Sequence, residues 1–71
     1  MMQEDELLVK MANQIAANLV FHDDAVDRVC DHLQRFWAPS MRLRINEYEA
    51  AGGEGLDPVA RAAVRKLGAG E

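Results

Sequence analysis

Residues 36–42 read Phe-Trp-Ala-Pro-Ser-Met-Arg, and they decide how this chain folds. They hold the only tryptophan, one of the two phenylalanines and one of the two prolines among 71 residues. Pro39 cannot continue a helix from the preceding residues, because it lacks an N–H and its ring clashes with the turn before it. Proline suits the first turn of a new helix, and the residue before it favours an extended backbone. The stretch therefore predicts a tight corner between two helices, with Trp37 in its angle.

Apolar residues on both sides of this corner recur with helical spacing. The segment at about 24–37 has one apolar face, formed by Ala25, Val26, Val29, Cys30, Leu33, Phe36 and Trp37. The segment at about 39–51 has an inner line of Met41, Ile45 and Tyr48, and Leu43 points away from that line. These patterns predict the second and third helices.

The most regular helical pattern lies at residues 5–20. Its first apolar strip consists of Leu7, Leu8, Met11, Ala12, Ile15, Ala16 and Leu19. A second strip of Val9, Ala16 and Val20 lies beside the first, so the apolar arc covers more than half of the helix. A helix that covers only its own small core needs a narrower stripe. Either this helix lies centrally between the others, or its second strip is buried against another protein.

The last third of the chain is expected to hold a linker and one further helix. Residues 52–55, Gly-Gly-Glu-Gly, suit a helix end followed by a linker. Asp57 and Pro58 then begin a short helix of about 58–67 in the preferred order, N-cap followed by proline. Its thin apolar line of Ala60, Ala63, Val64 and Leu67 is expected to dock on something or to fray. The predicted fold is all-α, with residues 1–71 forming a single small domain of three helices plus a short C-terminal helix.

The composition narrows the possible functions. A chain of 71 residues is near the size at which a single core is marginal. The net charge of −4 argues against nucleic-acid binding, which normally needs a basic face. The single Cys30 cannot form an internal disulfide, and this favours a reducing compartment. No apolar run approaches the ~20 residues needed to span a bilayer, so a cytoplasmic location without a membrane partner is expected.

The sequence offers no catalytic, cofactor-binding or metal-binding arrangement. His22 and His32 have no further ligands at the spacing of a metal site. Cys30 lies on the apolar face of its helix, where a cysteine behaves as a small hydrophobic residue. The chain is therefore expected not to be an enzyme by itself.

Three blocks of the sequence carry a family resemblance. They are residues 11–16 (Met-Ala-Asn-Gln-Ile-Ala), Asp31-His32 followed by residues 36–42, and residues 52–58 (Gly-Gly-Glu-Gly-Leu-Asp-Pro). In order and spacing they resemble the small delta subunit of the cytoplasmic, NAD-dependent, molybdenum-containing formate dehydrogenases. The resemblance spans residues 11–58, which is most of the chain.

The resemblance implies a non-catalytic accessory subunit that supports assembly, cofactor insertion or stability of a large catalytic subunit. The implied alpha subunit carries bis-molybdopterin guanine dinucleotide and iron–sulfur clusters, and beta and gamma subunits handle NAD and FMN. None of these cofactors is expected on this chain. The alternative is a free-standing helical interaction or regulatory module, such as an antitoxin-like protein. Its only basic cluster would be Arg61, Arg65 and Lys66, which is sparse for DNA binding.

The partner-binding surface is expected on residues that the internal core does not need. Asn13 can bond to a partner's backbone, and an arginine can form two-pronged bonds to a carboxylate or phosphate. Trp37 is expected either in the corner or as an exposed anchor. The candidates for partner binding are Val9, Asn13, Ala16, Val20, Trp37, Arg42, Leu43 and Arg44.

Overall fold

The structure, a computed structural model, describes residues 3–69. It contains four α-helices: α1 (Glu4–Leu19), α2 (Ala25–Phe36), α3 (Pro39–Ala50) and α4 (Pro58–Ala69). No strand occurs within residues 3–69. The predicted all-α fold is confirmed, and every helix begins and ends within two residues of the expected positions.

The fourth helix holds the other three together. α4 makes its most extensive contact with α2, and it also packs against α3 and α1, whereas α2 and α3 hardly touch one another. Its inner residues, Ala60, Ala63, Val64 and Leu67, are fully buried. Small side chains let helix axes approach closely, because the distance between packed helices depends on the residues at the contact. The expected docking of α4 therefore takes place on the chain's own helices, and α4 is a central element of the core.

The direction of α4 relative to α3 follows from three contacts. Glu49 pairs with Arg65, Gly53 accepts a hydrogen bond from Arg61, and the side chain of Asn46 lies against Gly68. As the residue number rises along α3 and the following loop, it falls along α4. The two helices are therefore antiparallel.

The buried face of α1 differs from the one expected. Val9 and Ala16 are buried in the core together with Leu8 and Ala12, while Leu7 and Met11 are exposed. The reason is that α1 contacts α2, α3 and α4, so its buried arc is centred near Ala12. The expectation that Val9 and Ala16 lie outside the internal core is therefore wrong. Central placement of the helix accounts for Val9 and Ala16, whereas Val20 of the same strip is exposed.

The corner between α2 and α3 buries one of its two aromatic residues. Trp37 is only 6% exposed and packs in the core, as the sequence predicts for a corner residue. It is therefore not an exposed anchor for a partner. Phe36, expected on the buried face of α2, is instead 71% exposed. Adjacent side chains point in different directions, so burial of Trp37 leaves Phe36 outside, where its ring lies 4.7 Å from that of His32.

Candidate partner-binding site

The connection between α3 and α4 is held in place by side chains from three helices. Three consecutive carbonyl groups each accept a hydrogen bond of 2.6–2.8 Å. The donor and acceptor pairs are Arg61 Nη2 to Gly53 O, Tyr48 Oη to Glu54 O, and Asn13 Nδ2 to Gly55 O. Residues 52–55 lie in the linker between α3 and α4, and these bonds fix the backbone of residues 53–55. We call residues 53–57 the pinned loop.

Asn13 makes a second bond to the pinned loop. The backbone N–H of Asp57 donates to Asn13 Oδ1 at 2.9 Å. Asp57 directly precedes α4, and the first N–H groups of a helix have no partner within it. The side-chain amide has both a donor and an acceptor, and it uses them on Gly55 and Asp57. Asn13 thus joins α1 to the start of α4, which corrects the expectation that its amide is free to bond to a partner's backbone.

The backbone of this loop favours glycine at position 53. Gly53 has a φ of +61°, a left-handed conformation that glycine adopts without steric cost. A Cβ atom there would lie 3.4 Å from the guanidinium of Arg61 and from Glu49 Cα. Leu56, three residues later, is buried in the core. The loop is fixed by polar bonds on one side and by an apolar side chain on the other.

A groove of about 480 Å³ runs between α1 and the pinned loop. Two of the expected partner-binding residues, Val9 and Asn13, lie on its wall, and Tyr48 and Gly55 line it from the opposite side. Charged residues at its rim are Glu6, Lys10 and Glu54. Because Asn13 and Tyr48 both bond to the loop, the groove exists before anything binds in it.

The remaining apolar candidates lie elsewhere on the surface. Val20 and Leu43 are exposed, as the sequence analysis expected. The structure adds Phe21, which is 89% exposed in the turn after α1, and Phe36 at the end of α2. Phe21 was missed because it lies in a connection without helical periodicity. The sequence signal that could have indicated its exposure was its position just after the end of a predicted helix.

The two candidate arginines are engaged within the chain. Arg44 Nε lies 2.7 Å from a carboxylate oxygen of Asp5, and Arg44 Nη1 lies 3.4 Å from Glu4. The hydrogen bond with Asp5 raises the pKa of the Arg44 guanidinium. Arg42 Nη1 donates to the Gln34 carbonyl at 2.8 Å and so ties the start of α3 to the end of α2. Each of these arginines is therefore bonded to the chain itself and is not simply solvated.

The basic cluster near the end of the chain is also internally paired. Arg61 bonds to the Gly53 carbonyl and Arg65 Nε lies 2.9 Å from Glu49. Lys66 is ion-paired with Asp27, and this hydrogen bond raises the pKa of the Lys66 ammonium. The cluster therefore does not form the free basic face that DNA binding needs.

The described residues offer little for metal or thiol chemistry. Cys30 is buried, and burial raises the pKa of its thiol, which disfavours the reactive thiolate. Between residues 3 and 69 no group of three or more His, Cys, Asp or Glu side chains is placed to hold a metal ion. In the same range, no helix is both long enough and apolar enough to cross a membrane.

These features define a class, namely a small all-α protein with exposed apolar side chains and a preformed groove, both suited to protein binding. The chain belongs to the family of NADH-dependent formate dehydrogenase delta subunits, FdsD, whose family model matches residues 7–64. All three blocks of the family resemblance lie inside that match. No curated protein and no solved structure is significantly similar to the chain.

Proposed function

We propose that this chain is a non-catalytic accessory subunit that supports the assembly, cofactor loading or stability of the large catalytic subunit of a formate dehydrogenase. The proposal rests on one observation, namely that this small protein exposes several large apolar side chains to solvent. These side chains are Val20, Phe21, Phe36 and Leu43. Large aromatic side chains such as Phe21 and Phe36 are enriched in the surfaces through which proteins bind one another.

The proposed partner is the large alpha subunit, within a cytoplasmic complex that also contains beta and gamma subunits. Bis-molybdopterin guanine dinucleotide, iron–sulfur clusters and FMN are proposed to belong to those subunits. Two observations support the proposal that this chain binds none of these cofactors. Its single cysteine is buried, and the described residues contain no cluster of metal-ligating side chains.

The antitoxin-like form of the alternative, a free-standing regulatory module, has less support than the accessory subunit. It needs a basic segment available to DNA, and Arg61, Arg65 and Lys66 are all bonded to other groups of the chain. We therefore keep the accessory-subunit proposal alone.

The test is to produce the complex with and without this chain and to measure two quantities separately. These are the molybdenum content per large subunit and the formate turnover per molybdenum. Omitting the chain is expected to lower the molybdenum content or the yield of intact large subunit, while turnover per molybdenum stays the same. Full molybdenum loading with low turnover per metal would contradict the proposal and would indicate a direct part in the catalytic cycle.

A further inference from the structure

We propose that the groove between α1 and the pinned loop binds a segment of the large subunit in which an apolar side chain is flanked by lysine or arginine. This inference rests on the proposed function, because it takes the large subunit as the partner. It adds the position of the contact and the chemistry of the segment that is bound.

The shape of the groove favours an apolar side chain of a protein segment. Its apolar lining comes from Val9, Ala17 and the ring of Tyr48, beside the backbone of Gly55. The volume of about 480 Å³ is large enough for a few side chains but lies open along one side. The loop that forms its wall is already fixed by Asn13 and Tyr48, so binding does not require the loop to be ordered first.

The charges of the chain decide which kind of segment fits. Within residues 3–69, seven of the eight basic residues donate hydrogen bonds to other groups of that range, and Lys10 does not. Among residues 3–69, five carboxylates make no ion pair: Glu6, Asp23, Glu47, Glu54 and Asp57. The charge available to a partner on the described surface is therefore mainly negative.

Two of these unpaired carboxylates lie at the groove. Glu6 on α1 and Glu54 in the pinned loop flank its apolar lining, and Lys10 is the single base beside them. Asp57 lies in the same loop. A basic side chain of the partner would meet two carboxylates there, whereas an acidic segment would meet like charges. Apolar lining with an acidic rim thus matches an apolar side chain flanked by lysine or arginine.

The binding test compares variants of the full-length chain with the purified large subunit. Ala17→Trp fills the groove from an exposed position, and Glu54→Lys reverses the charge at its rim. Each is expected to raise the Kd at least tenfold, and the effect of Glu54→Lys is expected to shrink with added salt. Asp23→Lys is the matched control, since it makes the same change in charge at an unpaired carboxylate outside the groove. Because Asp23 lies near the exposed Phe21, the expected result is a rise in Kd smaller than that caused by Glu54→Lys. Circular dichroism checks that all three variants keep their helices.

The second measurement identifies the bound segment. A photo-crosslinking amino acid at position 17 of the full-length chain, in the purified complex, is expected to attach to a large-subunit peptide with lysine or arginine beside an apolar residue. Three results would overturn the inference: attachment to a second copy of this chain, attachment to a segment without basic residues, or no attachment. If the groove variants bind as tightly as the unmodified chain, the inference fails and the accessory role stands. If the unmodified chain does not bind the large subunit, both fail together.

Discussion

The two connections that flank α3 are held by opposite means. The corner before α3 turns on a buried indole and a proline, Trp37 and Pro39, within a few residues of one another. The pinned loop after α3 has no aromatic residue of its own, and three polar side chains from other helices hold its carbonyl groups. The indole that holds the first connection lies within it, whereas the side chains that hold the pinned loop lie outside it. Tyr48 and Arg61 are six and eight positions from the carbonyls they bond, and Asn13 is 42 positions away.

The largest effect is expected from Trp37→Ala. Truncating a buried aromatic side chain typically costs about 3–5 kcal/mol, because it removes apolar contacts and leaves a cavity. Unfolding in denaturant, followed by circular dichroism, should show this loss in the free energy of unfolding. Phe36→Ala is the matched control, since it removes the adjacent but exposed ring, and it should cost less than about 1 kcal/mol. Equal losses in the two variants would mean that the corner does not depend on the indole.

A smaller loss is expected from Asn13→Ala. The variant removes both bonds between α1 and the pinned loop, and each bond contributes about 0.5–1.5 kcal/mol. The expected cost is therefore about 1–3 kcal/mol, measured by the same unfolding experiment. Gln14→Ala serves as the control, because that neighbouring amide makes only a 3.4 Å contact with Asn18. A result within about 0.5 kcal/mol of wild type for Asn13→Ala would show that the loop does not need this contact.

What could be predicted from the sequence also differs between local and long-range contacts. The corner, the helix ends and the burial of Trp37 could be predicted, because the residues that decide them are neighbours in the chain. The bond from Asn13 to Gly55 could not, because 42 positions separate the two residues. Periodicity showed that α1 has a wide apolar arc, but not which part of it faces α4. Val9, expected outside the core, lies against the loop, because a Cβ at Gly55 would be 3.6 Å from its Cγ1, and this contact also joins residues far apart in the sequence.

The smallest effect is expected from Tyr48→Phe, which removes only the hydroxyl that donates to the Glu54 carbonyl. Glu54 is exposed, so water can replace the lost partner, and the cost should be at most about 1 kcal/mol. Amide hydrogen exchange is the sharper measurement, since it reports local opening. Exchange should accelerate at Leu56, whose N–H bonds to Gly53 O, and stay unchanged at Trp37, whose N–H bonds to Leu33 O. Faster exchange at both positions would show that the two connections are not independent.

The position of α4 also bears on when the protein can fold during synthesis. α2 and α3 barely touch, and the helix with the most extensive contacts to both occupies residues 58–69, the last of the four to leave the ribosome. Likewise, Asn13 can accept its hydrogen bond from Asp57 only after residue 57 has been synthesised. Contacts between distant residues form only after the intervening chain has been brought together. A growing chain that ends before residue 58 thus lacks the helix with the most extensive packing, and its first three helices can join mainly through the contacts that α1 makes with α2 and α3. The core is completed only when residues 58–69 have emerged.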